Sequence, residues 1–142
     1  MTVDFALPKD LDYLVEKDHL GSNRITEKIG RREFLIAYHD DRRDDRRVGF
    51  LRYNYFWDDE PFMNLLWVEE DSRSKGFGAQ LISFWEEEMQ KLGYDSVLTS
   101  TLSTNEGAQR LYRRLGYKDS GCLLMPGEPL EILLLKRLSQ EA

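Results

Sequence analysis

Apolar residues recur along this chain in two rhythms, and the switches between them mark its elements. Thr2–Ala6 reads as a first strand. Pro8 stands where a helix can start, and Leu11, Leu14 and Val15 form a stripe at i, i+3 and i+4. A second short helix follows from Ser22, a fitting N-cap, with Ile25 and Ile29 on one face and Gly30 as its stop. Glu33–His39 and Val48–Trp57 are strands rich in aromatic and branched residues. Asp58-Asp59-Glu60-Pro61 turns the second of these into the apolar strand Phe62–Val68. From Gly76 to Leu92 the period lengthens to that of a helix burying Phe77, Leu81, Trp85, Met89 and Leu92, and Gly93 ends it. Ser96–Thr101 is a strand. Ser103-x-x-Glu106 has the form of a capping box opening a helix that Gly116 closes. Tyr117–Met125 and Glu131–Lys136 are the final strands, separated by Pro126-Gly127-Glu128-Pro129.

A run of strands, then helix, strand, helix and two strands is an α+β order. The 142 residues suit one domain, 1–142. A hydrophobic share of 41% and a charged share of 32% are ordinary for a globular chain. A net charge of −6 argues against general nucleic-acid binding. The lone cysteine, Cys122, permits no internal disulfide and fits a reducing cytoplasm. Its apolar neighbours Leu123-Leu124-Met125 predict a buried small hydrophobe. The N-terminal residues lack the basic and apolar regions of a signal peptide, and no apolar run reaches membrane-spanning length. Asp40–Arg47 alternates paired acids and arginines without an apolar side chain, which predicts a solvated hairpin turn.

Chemistry concentrates after Phe62–Val68, where the strand runs into Glu69-Glu70-Asp71-Ser72-Arg73-Ser74-Lys75-Gly76-Phe77-Gly78-Ala79 and then a helix. Glycines admit a ligand close to the backbone, and the first N–H groups of a helix have no internal partner. Arg73 and Lys75 add positive charge within an acidic chain. Strand, glycine loop and helix therefore suggest an anionic cofactor with a pyrophosphate. A Walker A loop is excluded because Lys75 precedes Gly76 and no Ser or Thr follows it. A dinucleotide fingerprint fails at Leu81, which holds the third glycine position. A plain strand-to-helix turn remains the alternative.

A second segment narrows the choice. Arg73-x-x-Gly76-x-Gly78, a helix, a strand, then Asn105…Ala108…Leu111-Tyr112…Leu115-Gly116-Tyr117 resembles the GNAT superfamily of N-acetyltransferases over Phe62–Tyr117. The resemblance implies a mixed, mostly antiparallel sheet of six to seven strands with helices on both faces. It implies acetyl-CoA as cosubstrate, wedged where the strands matching Phe62–Val68 and Ser96–Thr101 part. It places the pyrophosphate on Arg73, Ser74, Lys75, Gly76, Phe77, Gly78 and Ala79, the pantetheine arm on Asn105, and counts Val68 and Tyr112 among the cofactor-binding residues. Direct attack of a primary amine on the thioester is the implied reaction.

That reaction needs an oxyanion donor, an acid for the leaving thiolate and a route for the ammonium proton. The resemblance assigns the donor to the backbone N–H of Val68 and the acid to Tyr112. A phenol is protonated at neutral pH, so it can donate to a thiolate. The competing readings are packing for Tyr112 and helix capping for Asn105. Some family members carry a basic Glu on the strand matching Phe62–Val68, but here that position falls at or near Phe62. Glu60 at the strand entrance and Glu69 at its exit can act through water, or can be solvated loop residues. No metal site is expected. The missing strand Glu keeps a second function open, a non-catalytic acyl-CoA-binding or sensing module. The acceptor side is expected near Tyr55, Trp57, Asp58, Asp59, Glu60, Glu128 and Glu131. Aromatics beside carboxylates suit a cationic amine, on a small molecule or a protein, without nucleic acid or membrane as partner. A homodimer is compatible with all of this.

Overall fold

A computed structural model describes residues 1–39 and 46–138. In chain order it contains β1 (Thr2–Phe5), α1 (Leu11–Lys17), α2 (Ser22–Gly30), β2 (Phe34–Tyr38), β3 (Arg47–Phe56) and β4 (Glu60–Val68), then α3 (Phe77–Lys91), β5 (Ser96–Leu102), α4 (Glu106–Arg114), β6 (Lys118–Leu123) and β7 (Glu131–Arg137). Short 3₁₀ turns stand before α1, at Pro8–Asp10, and after β4, at Glu70–Ser72. The strands are ordered β1-β2-β3-β4-β5-β7-β6. Seven strands are the upper end of the expected range. β1–β2, β2–β3, β5–β7 and β6–β7 are antiparallel, and β4–β5 is parallel. No helix among the described residues is long and apolar enough to cross a membrane.

Two compact units share this order: Met1–Tyr53 with Leu65–Ile82, and Asn54–Asn64 with Ser83–Ala142. In the first, Leu14 and Ile25 from the helical stripes bury against Phe34, Ile36, Tyr38 and Phe50. All five residues of β2 are buried, which explains its unbroken apolar run. Two carboxylates are buried with them. Asp10 accepts from Leu7 N–H at 2.8 Å, from Arg47 Nε at 2.8 Å and from the Tyr38 hydroxyl. Asp18 accepts from Arg52 Nε at 2.7 Å. Arg47 thus belongs to a buried pair at the start of β3 rather than to a solvated turn; Arg46 is exposed, and 40–45 of that predicted turn lie outside the described residues.

In the second unit Trp85 and Met89 of α3 are buried, as are Val97, Leu98, Tyr117 and Leu134. Leu92, expected in the buried stripe, falls one residue beyond the end of α3 and is exposed. Glu86 of α3 accepts from Tyr117 Oη at 2.7 Å and from Lys136 Nζ at 2.8 Å, fastening helix to sheet.

Several local expectations are corrected. Gly21, with φ 86°, is the N-cap of α2 in place of Ser22, and Arg32, with φ 61°, supplies the left-handed residue beyond Gly30. Glu60 and Pro61 already belong to β4, so the turn is Trp57–Asp59. Asp59 N–H bonds Phe56 O at 3.1 Å while Trp57 and Asp58 both take φ 59°, the mirror-image turn that suits a two-residue hairpin loop. Cys122 is exposed, not buried, because β6 is an edge strand with every residue exposed. Asn105 rather than Ser103 caps α4, its Oδ1 accepting from Ala108 N–H at 3.1 Å.

Candidate active site

Val68 is the last residue of β4 and is half-buried. The chain leaves it through Glu69, whose N–H bonds Val48 O at 2.8 Å, and through the Glu70–Ser72 turn. Arg73 then folds back. Its Nε donates to Val68 O at 2.9 Å, and its guanidinium lies 5.0 Å from the centre of the Trp67 ring. Arg73 therefore ties the loop to the strand end, a bond its sequence position did not disclose. Ser74 and Lys75 are exposed, and Ser74 holds a left-handed φ of 64°. That conformation costs a non-glycine residue about 1 kcal/mol or more, and such strain gathers at functional loops.

Gln80 N–H closes the first helical bond on Gly76 O at 3.0 Å. The N–H groups of Phe77, Gly78 and Ala79 precede that bond and have no place in the helix ladder. No acidic residue lies in this first turn, although the chain carries 26. Gly76 takes φ 84°, which requires glycine. Gly78 is different. It lies in the helix, and a Cβ there would meet Leu66 Cδ2 at 3.5 Å and Val68 Cγ2 at 3.7 Å, ordinary contact distances. The fold has room for alanine at 78 and would gain about 1 kcal/mol from it. Glycine at 78 leaves the side of the first turn that faces Leu66 and Val68 without a side chain.

Glu69 is fully engaged. It accepts from Tyr13 Oη at 2.6 Å and Trp67 Nε1 at 2.9 Å, and Lys17 Nζ lies at 3.4 Å. Burial raises its pKa, but these donors and the Lys17 charge outweigh that and hold the carboxyl below its ordinary value. Burial, then the Glu69 bond, pushes the Tyr13 phenol up. Glu60 accepts from Ser96 Oγ at 2.6 Å. It sits at the opposite end of β4 from Val68, about 26 Å back at the usual strand rise. Phe62 stacks on Phe56 with centroids 6.0 Å apart, so the strand position considered for a basic Glu holds a packed aromatic ring.

On α4, Tyr112 is 7% exposed. Its phenol is pushed up to about 12, first by burial and then by the Glu131 charge, against a hydrogen bond with Thr99. Thr99 Oγ1 in turn donates to Met63 O at 2.9 Å, and Met63 pairs with Thr99 in the parallel β4–β5 ladder. Buried Gln109 donates to Leu102 O at 3.2 Å and Ser103 O at 3.0 Å, fixing the loop from β5 into α4. Asn105 spends Oδ1 on its cap, leaving its NH₂ group as a donor. Sequence reasoning missed Thr99 and Ser100, two adjacent hydroxyls on β5. Ser100 Oγ donates to Glu131 at 2.7 Å. Of the residues expected on the acceptor side, Tyr55 points its hydroxyl to Met89 Sδ, 4.0 Å away, and Trp57 is 84% exposed.

The chain is similar in sequence and in fold to known proteins. A D-amino-acid N-acetyltransferase from Saccharomyces cerevisiae is 34% identical over 76 residues, 50% of this chain and 47% of that protein. The chain spans about half the length of this curated relative. An acetyltransferase of the GNAT family from Bacillus cereus superimposes with a TM-score of 0.77 at 24% identity, covering 98% of each chain. Ard1 from Thermoplasma volcanium gives a TM-score of 0.82 at 17% identity, again covering 98% of each chain. Both show the same fold. The model of the acetyltransferase (GNAT) family matches residues 7–117, a span that takes in the glycine loop, Asn105 and Tyr112, and the chain belongs to that family.

Proposed function

We propose that the chain is an acetyl-CoA-dependent N-acetyltransferase, acting on a primary amine of a small molecule or protein, with 1–142 as its acetyltransferase domain. The carrying observation is the first turn of α3: bare N–H groups, no acidic residue, and a glycine at 78 that the fold does not require. Those groups take the pyrophosphate of acetyl-CoA. Arg73, bonded to Val68 O, sets the loop against the strand end, and Lys75 and Ser74 stand exposed for the phosphates. Asn105 gives its NH₂ group to the pantetheine arm. The Val68 N–H steadies the oxyanion of the tetrahedral intermediate.

When the intermediate collapses, the carbon–sulfur bond breaks and the electron pair stays on sulfur. Tyr112 donates a hydrogen bond from its O–H to that thiolate, which takes its proton from water, and burial keeps the phenol protonated for the task. Neither expected carboxylate suits the base role. Glu69 is held ionised by Tyr13, Trp67 and Lys17, which weakens it as a proton acceptor, and Glu60 is bonded to Ser96 at the far end of β4. The ammonium proton leaves through water. The single cysteine supports a reducing compartment, the cytoplasm.

Gly78→Val places a branched side chain between the first turn of α3 and the Leu66–Val68 end of β4, and calorimetric affinity for acetyl-CoA is expected to fall at least about tenfold, 1.4 kcal/mol. Unchanged affinity in a folded variant would refute the loop assignment. Thiol release over an amine panel separates the enzyme from an acyl-CoA-sensing module, which would bind acetyl-CoA without turnover.

A further inference from the structure

Thr99 and Ser100 are neighbours on β5, so their side chains point to opposite faces of the sheet. Thr99 meets Tyr112 on the face that carries α3. It stands opposite Leu134, and Lys136, two residues on from Leu134, donates to Glu86 of α3. Ser100 serves the other face, where it donates to Glu131 Oε2 at 2.7 Å. The proposed acid and this carboxylate thus flank one strand from its two sides.

Glu131 has a particular setting. The register of β7 puts it directly opposite Leu102 of β5 and directly opposite Leu123 of β6. Cross-strand partners share a face, so the three side chains form a row with the carboxylate in the middle, about 5 Å from each leucine in strand spacing. Leu102 is 38% exposed and Leu123 is 40% exposed, and Leu124 and Met125, next along the chain, are exposed as well. Among the described residues no Lys, Arg or His forms an ion pair with Glu131; its hydrogen-bond donor is Ser100. Asp10, Asp18, Glu33, Glu69 and Glu86 differ in having cationic partners within the fold, and Glu60 is like Glu131 in bonding a serine hydroxyl alone. A half-buried carboxylate between two exposed leucines, without a cation of its own, is complementary to an ammonium group with apolar substituents.

We infer that Glu131 receives the acceptor's ammonium group and that Leu102 and Leu123 receive apolar groups beside it, so that the acceptor is an amine on an apolar frame. The inference rests on the reading of the chain as an amine acetyltransferase. It narrows the broad acidic surface expected from sequence to one residue. Glu60, bonded like Glu131 to a single serine, stands at the opposite end of β4 from Val68, and Asp58 and Asp59 sit on the hairpin turn beside an almost wholly exposed Trp57. Glu131 touches the substrate in this role and selects it. It does not need to take its proton.

Three probes separate charge from apolar contact: n-hexylamine has both, ethanolamine has only the charge, and 1-hexanol only the chain. Calorimetric binding to the CoA-loaded protein is expected to favour n-hexylamine over either of the others by about tenfold or more. Glu131→Gln should cost n-hexylamine about tenfold in affinity and raise its KM equally, with kcat within about threefold of wild type and 1-hexanol binding unchanged. Ser100→Ala, which leaves the charge but frees it, should raise KM for n-hexylamine by a smaller factor. Leu123→Ser should weaken n-hexylamine and spare ethanolamine. Wild-type affinity and KM in Glu131→Gln would overturn the inference, as would a fall in kcat alone. A stable dimer broken by Leu123→Asp, with n-hexylamine affinity unchanged, would assign the row to a second copy of the chain and overturn it too. Amine binding that depends on Glu131 without any thiol release would instead refute the acetyl-transfer reading and leave Glu131 as a cation site.

Discussion

Tyr112→Phe removes one hydroxyl and keeps the ring that packs 6.0 Å from Tyr117. The expected size of the effect follows from where that hydroxyl sits. Burial and the nearby Glu131 carboxylate push the phenol up to about 12. A thiol near 8.5 is then the stronger acid by about 3.5 units, so complete proton transfer to the thiolate ahead of bond cleavage would run about 5 kcal/mol uphill. The phenol acts instead by hydrogen bonding to the negative charge as it develops on sulfur. One charge-assisted bond contributes about 1.5–3 kcal/mol, which corresponds to about 10- to 150-fold in kcat. The KM for acetyl-CoA should stay within about threefold, since the bond strengthens only as charge builds on sulfur. The structural cost is small. Thr99 keeps its bond to Met63 O at 2.9 Å, so no buried donor is orphaned and stability should fall by only about 1 kcal/mol. The assay is single-turnover release of CoA thiol, read with a chromogenic thiol reagent, which isolates chemistry from product release. An unchanged single-turnover rate would refute the acid role and return Tyr112 to packing.

Two further outcomes concern stability. Asp18→Ala leaves the Arg52 guanidinium buried without its partner, whose side chain is wholly buried and bonded at 2.7 Å, and should cost about 3–5 kcal/mol in urea unfolding; a loss below about 1 kcal/mol would show that Arg52 reaches water when released. The second outcome is a loss of stability at alkaline pH. The folded pKa values of Tyr13, Tyr112 and Tyr117 are all raised, each chiefly by burial, so the stability linked to these neutral phenols is complete below their ordinary value near 10 and declines above it. Tyr112 alone should withdraw about 2 kcal/mol by pH 11.5. Urea midpoints that hold steady from pH 9 to about 11.5 would contradict the burial of these hydroxyls.

Much of the architecture was legible because it depends on local chemistry. The stripe of Phe77, Leu81, Trp85 and Met89 marked α3, and Gly93, with φ 99°, stopped it as expected. The misreadings share a cause: a residue with two local roles takes the one its neighbours leave open. Ser103 and Asn105 could both cap α4, and Asn105 does, because Ser103 N–H is drawn to Leu130 O at 2.7 Å in the β5–β7 region. Arg47 looked like part of a charged turn until Asp10, 37 positions earlier, was found beneath it. Cys122 sat in an apolar run, but its strand is the last of the sheet and nothing covers it among the described residues.

By itself the sequence determined the order of strands and helices, the glycine loop at 73–79 and the helix carrying Tyr112. It could do so because propensity, period and turn chemistry act over a few residues. Register and burial it left open. That Thr99 faces Tyr112 and Ser100 faces Glu131 depends on how β5 and β7 align, with Ser100 opposite Leu133 and Leu102 opposite Glu131. A slip of one residue would exchange the two faces. That Glu69 is an anchored carboxylate rather than a base depends on Tyr13, 56 positions away. Ionisation and access are set by what the chain brings alongside a group, and contacts so distant in sequence are fixed only when the tertiary structure closes.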